Sequence, residues 1–554
     1  MGQERRFIRG MIGVQCPSEM LAQAEGVRSI TVGARRKLAS NFNTGPQMSR
    51  NFPQALIAII LGIFTANILS TNLALASTTS ATPWPGQPGN AVGYAAYGPL
   101  GTTPWPGGAF KSGTASNPTI YTGYVFNSPV TVSGSYIEFI SCDFNSGTGG
   151  VMVSGSNITF IGSRFQSNQV EYYNVQVTGA NVTFFYDSFT PLTSFYTAPP
   201  GSVWPSAGQN TLTMNNGNSV SGNSGYQFGV NVQGGNSVSI YYSDFWGFGN
   251  AIDYNTATSS PMLVIGNWIH DAANISPQGY HTDGPGYLNG GAAPSNITIL
   301  GNTIASLGNS NGIAFQAATS GYSGMRIQGN YVSGFGYTVA PGNPGSTHFS
   351  NSTITFNTFG TDVEPYFGPL YASSFPSAGN SVWACNQLAF RSGTTWTDGD
   401  GWTPTSAIDG KYWVPTSTIA SNSDWNGNTI CPSLAPSSLA WKSQGVNTTS
   451  SSQVVTLTNT NTGTIANLSV SLATGTQFSI ASNTCGSSLA AGASCTVTVN
   501  FNPTMPGPQA DSLQFSSNAP APSSPQSVPL IGIGGGSGAQ TGPNPPTNLS
   551  ADVK

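Results

Sequence analysis

The densest cluster of groups able to move protons, hold a cation or grip a sugar lies at residues 268–289. It contains Trp268, His270, Asp271, His281, Asp283 and Asn289, and so two of the chain's 3 histidines. Two carboxyl groups about 5–10 Å apart are what glycoside hydrolysis requires, one as acid and one as base or nucleophile. Asp271 and Asp283 are the candidates for those roles, with His281 assisting them or binding substrate. Trp268 and Tyr331 are candidate platforms for a sugar ring, and His270, Asn289 and Arg326 are candidate polar contacts. β-Elimination beside a uronate needs a base and a positive charge or metal. Arg326 is the candidate cation. Calcium is the candidate cofactor, with Asp253, Asp271 and Asp283 as oxygen ligands. The same residues have plain structural readings: Asp283-Gly284 is a common turn pair, and Arg326 could be a solubilising surface side chain.

Such residues need a rigid scaffold, and an eight-residue pattern supplies one. Its copies are 137–144 (IEFISCDF), 158–165 (ITFIGSRF), 182–189 (VTFFYDSF), 238–245 (VSIYYSDF), 262–269 (MLVIGNWI), 297–304 (ITILGNTI), 325–332 (MRIQGNYV) and 352–359 (STITFNTF). Their starts lie 21, 24, 56, 24, 35, 28 and 27 residues apart, and the 56 reads as two steps of about 28. A period in the twenties with short alternating strands is the signature of a solenoid whose units bury their apolar faces only by stacking. The third and eighth positions are aromatic or aliphatic throughout and should point inward. The sixth runs Cys142, Ser163, Asp187, Ser243, Asn267, Asn302, Asn330, Asn357. That column reads as an asparagine ladder, placed where a left-handed turn joins two strands. Gly266, Gly301 and Gly329 ease the same bend. The step of 35 after the fifth copy implies an insertion carrying His281 and Asp283, and long connections on a rigid scaffold are where sites are built.

The repeat resembles the right-handed parallel β-helix family, the fold of pectate lyases, polygalacturonases and phage tailspikes, over roughly residues 90–430. The resemblance implies an all-β protein, and this fold hosts many activities. Residues 281–284 (HTDG) are similar to the Asn-Thr-Asp-Gly motif of polygalacturonases. His replaces Asn, no Asp-Asp pair follows, and the Gly-His-Gly and Arg-Ile-Lys motifs are absent, with Arg326-Ile327-Gln328 a partial echo. Polygalacturonase activity is therefore not carried over. The segment resembles more closely a group of secreted bacterial β-helix proteins with His-Thr-Asp-Gly.

Composition bounds the rest. Charged residues are only 6% of 554, while Gly numbers 69. Eight of the 15 basic residues fall in the first fifty, leaving seven basic against sixteen acidic beyond them, which argues against a nucleic-acid partner. Residues 55–69 (ALIAIILGIFTANIL), after Arg50 and before Ala74-Leu75-Ala76, read as a signal peptide too short to span a bilayer. The expected organisation is a leader and signal peptide at 1–76, with Met48 as a candidate true start, then a Pro/Gly/Trp-rich lead-in and cap at 77–118. The β-helix with its C-terminal cap follows at 119–435, an immunoglobulin-like β-sandwich at 436–535, and a linker with the start of a fibronectin-III-like segment at 536–554. The sandwich rests on Cys485, 489–495 (LAAGASC), Phe501-Asn502-Pro503 and 528–534 (VPLIGIG). These resemble the abnormal-spindle/hydin-type domains seen as choice-of-anchor modules of secreted bacterial proteins. Cys485 and Cys495 are expected to pair in that domain, and Cys385 with Cys431 at the end of the helix; Cys142 is left as a buried thiol.

Together these features predict a secreted or cell-surface protein that cleaves an acidic or neutral polysaccharide or cell-surface glycan, by hydrolysis or β-elimination, with no membrane span after signal cleavage. The alternative is a non-catalytic adhesin or glycan-binding stalk.

Overall fold

The computed structural model describes residues 90–145, 150–167, 173–191, 228–254, 261–272, 283–287, 293–306, 310–315, 321–335, 337–340, 349–360, 368–370, 382–388, 411–412, 432–460, 463–519 and 524–535. The chain divides into two compact units, Met1–Thr79 and Ser80–Lys554. All described residues belong to the second; the expected signal peptide and the fibronectin-like tail lie outside them.

Three long sheets, of ten, twelve and nine strands, run through residues 103–412. Every pairing within them is parallel except Gln387–Leu388 with Lys411–Tyr412. The chain visits them in the same order on each turn. Ser135–Ile140 lies in sheet 1, Asp143–Asn145 in sheet 2 and Val151–Val153 in sheet 3, before Ser156–Ile161 returns to sheet 1 beside the first. This is a parallel β-helix. Inward columns stack as expected. Phe126, Phe144, Phe165, Phe189 and Phe245 form a file of near-parallel rings 4.3–5.0 Å apart. Phe139, Phe160 and Phe184 form a second file at 5.0–5.1 Å.

The sixth column is a continuous ladder. Each side-chain oxygen accepts the backbone N–H of the sixth residue one rung earlier: Ser163 from Cys142, Asp187 from Ser163, Ser243 from Asp187, Asn267 from Ser243, and so on through Asn302, Asn330 and Asn357 to Asn386. The asparagines also donate to the next Oδ1 and to a carbonyl of the preceding rung. The left-handed residue, however, is the fifth and not the sixth. Ser141, Gly162, Tyr186, Tyr242, Gly266, Gly301, Gly329, Phe356 and Cys385 all have φ of 49–70°. The bend at the fifth position is what turns the sixth side chain inward along the ladder.

Two further corrections concern the rungs. The step of 56 is a single rung, because Ala180–Phe185 pairs directly with Asn236–Tyr241; the extra length is an insertion. Two more copies exist, 119–126 (TIYTGYVF) and 381–388 (SVWACNQL), in register with their neighbours. At the start of the solenoid Trp105 and Phe110 pack on Tyr121, Phe126 and Phe139. Trp383 lies in a strand of sheet 1; Trp396, Trp402, Trp413 and Trp425 of the expected C-terminal cap lie outside the described residues.

The C-terminal domain is a sandwich of two four-stranded sheets, one containing Gln453–Thr458 and Ser494–Phe501, the other Leu439–Gly445, Gly507–Ser516 and Gln526–Gly535. Cys485 and Cys495 are bonded, and Trp441, Phe478 and Phe501 pack in its core. It is not a pendant module. Ile531 and Ile533 pack on Ile161, Phe185, Tyr186, Tyr241, Tyr242, Ile265 and Leu300, the outward fourth and fifth columns of sheet 1. Tyr242 Oη donates to Ser438 Oγ at 2.6 Å, and Arg326 Nη2 donates to Ser527 Oγ at 2.8 Å. A Cβ on Gly301 would lie 2.4 Å from Ser437 Oγ, so this glycine admits both the left-handed bend and the domain. Residues 92–97 are wedged alongside: Gly93 N donates to Tyr242 O, and Lys442 Nζ donates to Ala96 O.

Candidate functional site

Alternation along sheet 2 settles which side chains face out. Phe245 and Ile269 are in the core, so Asp244 and Trp246 on one rung, and Trp268 and His270 on the next, face outward. Parallel register sets Asp244 beside Trp268 and Trp246 beside His270. The result is a two-by-two patch alternating acid and indole with indole and imidazole.

His270 ties the patch together. Its Nε2 lies 2.8 Å from Asp244 Oδ1 and its Nδ1 2.7 Å from Asp271 Oδ2. The indole of Trp268 stacks on it, with ring centroids 3.6 Å apart and planes 15° from parallel. Burial alone disfavours the imidazolium, but the charge of Asp244, its hydrogen bond, and then Asp271 outweigh that and push the pKa up to about 9. The group is a cation held between two carboxylates. The side chains of His270 and Asp271 are 2% and 0% exposed, while that of Asp244 is 20% exposed. Asp271 takes a left-handed φ of 45°, and its Oδ1 is buried without a hydrogen-bond partner. Asp244 is therefore the solvent-facing member of the triad, and Trp246 and Trp268 are half-buried beside it.

The other sequence candidates are distributed differently. Asp283 begins a strand of sheet 3 and registers with Asn250, whose strand-mates Ile252 and Tyr254 are in the core. Its side chain thus faces inward, 1% exposed, and its Oδ1 accepts from Asn311 N at 2.7 Å and Nδ2 at 3.2 Å. Asp253, also on sheet 3, is buried and registers with Gly286. Among the described residues no three His, Cys, Asp or Glu converge to hold a metal ion. Tyr331 is half-buried on sheet 2, two rungs beyond Trp268 across Thr303. Arg326 is on sheet 1, not sheet 2. It spans Gln328 and Ser527 beneath the sandwich, and burial draws its pKa below the ordinary value. His281, Asn289 and Cys431 lie outside the described residues, as does the connection from Ala272 to Asp283; Cys385 is disulfide-bonded.

Asp244 was not singled out by sequence. It sits in the seventh column, which also holds Asp143, Arg164, Ser188 and Thr303, and nothing in that list marks one acid above the others. The signal was present only in combination, as the outward acid one rung before the outward His270. Of the aromatic group near it, Tyr241 and Tyr242 lie under the sandwich, Phe248 is core and Trp246 faces out.

Residues 433–535 match the family model Cep192 domain 4. Among solved structures, the chain is similar to the ASH / PapD-like domain of human CEP192 (PapD-like domain 7), at 14% identity and TM-score 0.17, covering 23% of this chain and 97% of that one. It is similar to the secreted serine protease VesC from Vibrio cholerae at 20% identity and TM-score 0.17, covering 25% of this chain and 32% of that one. It is also similar to the Dettilon tailspike protein at 12% identity and TM-score 0.26, covering 70% of this chain and 85% of that one. No curated protein matches the chain. Among the described residues no helix is long and apolar enough to cross a membrane.

Proposed function

We propose that this chain is an exported, surface-displayed glycan-binding protein, and that its binding face is formed by Asp244, Trp246 and Trp268 on sheet 2, with the buried His270 holding Asp244 in place. The observation that carries the reading is the pairing of two half-buried indoles with a half-buried carboxylate that His270 holds in one orientation. Sugar rings present a C–H face that stacks on an indole and hydroxyls that donate to a carboxylate. Two neighbouring rungs about 4.8 Å apart offer such groups at close to the spacing of consecutive sugar residues. A carboxylate already bonded to an imidazolium loses little freedom on binding, which favours affinity. Tyr331 extends the aromatic row along the solenoid. A neutral Asn/Ser/Thr-rich chain with 6% charged residues and an apolar leader supports export. The pectate-lyase-like character of the helix and the choice-of-anchor character of the sandwich belong to this same proposal.

Polysaccharide cleavage is the second reading. It is favoured by Asp271 Oδ1, which is buried and has no hydrogen-bond partner among the described residues. Affinity electrophoresis of the full chain through gels containing single polysaccharides tests the first reading. Retardation by at least one glycan, weakened roughly tenfold, about 1.4 kcal/mol, by Trp268→Ala or Asp244→Ala supports it. Retardation unaffected by both variants refutes the patch. Mass spectrometry of the same polymers, with and without calcium, tests the second: products lacking one water mean a lyase, and hydrated products a hydrolase.

A further inference from the structure

The charge inventory around the patch narrows the ligand, an inference that rests on the glycan-binding reading above. The triad holds two carboxylates and one imidazolium, so it is net negative while His270 is protonated. A carboxylate-bearing sugar would need a free cation within reach. Beyond residue 50 the chain has only seven basic residues, and those whose side chains are described are either engaged elsewhere or set on a distant rung. Arg164, on the outward face of sheet 2, is held by Asp143 through two hydrogen bonds of 3.0 and 2.7 Å, and lies 5.6 Å from the centroid of the Tyr94 ring. Gly93, between that pair and the patch, sits over Ser188 and Asp244: a Cβ there would meet Ser188 Oγ at 2.5 Å and Asp244 Cβ at 2.7 Å. Arg326 is on sheet 1 with Gln328 and Ser527. Lys442 belongs to the sandwich, where it donates to Ala96 O and lies over the Tyr186 ring. Lys111 is in the cap of the first rung. The second carboxylate adds to the field: Asp271 Oδ1 is buried and meets no donor among the described residues, and Oδ2 is bonded to His270.

We infer that the sheet-2 patch selects glycans that carry no carboxylate, with hydroxyl donors turned toward Asp244, and rejects polyuronates. The exclusion is electrostatic and short-ranged, since exposed charges are screened over about 10 Å at 0.1 M salt. It chooses the neutral side of the two glycan classes, acidic and neutral, that the sequence leaves open. The rejection also follows from a basic asymmetry of recognition: Asp244 keeps its bond to His270, but a ligand carboxylate facing it meets a like charge and no donor, which costs far more than a missing contact.

The test is affinity electrophoresis of the full chain against glucomannan and galactomannan, and against polygalacturonate and its highly methyl-esterified form, which keeps the backbone and removes the charge. The expected result is retardation by at least one uncharged probe, at least tenfold weaker binding of polygalacturonate, and recovery of part of that loss on esterification. Asp244→Asn should narrow the gap between charged and esterified galacturonan. Polygalacturonate bound as tightly as the uncharged probes, with the binding lost in Trp268→Ala, overturns the inference while leaving the glycan-binding reading intact. No retardation by any of the four, nor by a wider polysaccharide panel, overturns the reading beneath it and the inference together.

Discussion

Asn302 occupies the middle of the ladder, and replacing it with alanine separates the ladder from ordinary strand pairing. Its Oδ1 accepts Asn267 N at 2.9 Å and Asn267 Nδ2 at 3.0 Å, and its Nδ2 donates to Val264 O and Asn330 Oδ1, each at 2.9 Å. In Asn302→Ala the buried N–H of Asn267 has no acceptor, costing about 1–3 kcal/mol, and the three other lost bonds cost roughly 0.5–1.5 kcal/mol each, partly recovered because Asn267 Nδ2 keeps Ile240 O and Asn330 Oδ1 keeps Asn302 N. The expected loss is about 3–5 kcal/mol. Asn302→Ser should be milder, about 1–2 kcal/mol, because Ser163 and Ser243 already fill this column, accepting the preceding N–H and bonding the carbonyl two residues back. Asn302→Asp keeps the acceptor but opposes Val264 O and Asn330 Oδ1 with a second oxygen, so its deficit should grow as pH rises. Urea unfolding of the full chain followed by tryptophan fluorescence measures all three. A loss below about 1 kcal/mol for alanine, or a serine variant as damaged as alanine, would refute the claim that the ladder and not the strands alone holds the rungs in register.

Three more perturbations have outcomes of definite sign. Asp187 is fully buried in the ladder, and burial raises its pKa well above the ordinary carboxyl value despite two backbone hydrogen bonds. Its contribution is thus fully present below the unfolded pKa and lost as pH rises through the folded one. Asp187→Asn keeps one acceptor, for Ser163 N, but turns an amide N–H toward Phe185 N, so it should cost about 1–3 kcal/mol at pH 4 and progressively less as pH rises through the folded pKa of Asp187, as read by calorimetry. His270, raised to about 9 from 6.5, contributes stability that is complete below pH 6.5 and lost as pH rises through about 9, so His270→Gln should cost most at pH 6 and least near pH 10 in melting curves. Ile533→Asp puts a charge into the apolar seam between sandwich and solenoid, and should cost about 2–4 kcal/mol and speed hydrogen exchange around Tyr242, while the Cys485–Cys495 bond stays formed.

The solenoid was legible because stacking imposes one residue class on each inward column, and the third, sixth and eighth positions obey it over many rungs. The finer errors have physical causes. Residues 119–126 (TIYTGYVF) and 381–388 (SVWACNQL) were hidden by atypical terminal rungs, with Tyr124 at the sixth position of one and Trp383 at the third position of the other. A single long insertion imitated two periods between 182 and 238, since spacing alone cannot tell a rung from a loop. Glycines at 266, 301 and 329 pointed to the bend, but Tyr186, Tyr242 and Phe356 take the same left-handed φ without glycine, which obscured that the fifth position is the turn. The inward orientation of Asp283 was not legible because the strands of sheet 3 have no aligned pattern that would show it facing Asn311. The docking of the sandwich did leave a trace, the apolar Ile161, Phe185, Tyr241, Ile265 and Leu300 in a column that a solvated sheet would make polar. Asp244 could not be found in this way, because its meaning comes from His270 on the neighbouring rung.

The most direct test of the central claim is hydroxyl-radical footprinting of the full chain with and without saturating glucomannan or another retarding glycan. If the sheet-2 patch is the binding face, oxidation of Trp246 and Trp268 slows several-fold with glycan while that of Trp441, inside the sandwich, does not change. Binding that leaves both indoles as reactive as in the free protein would contradict the assignment.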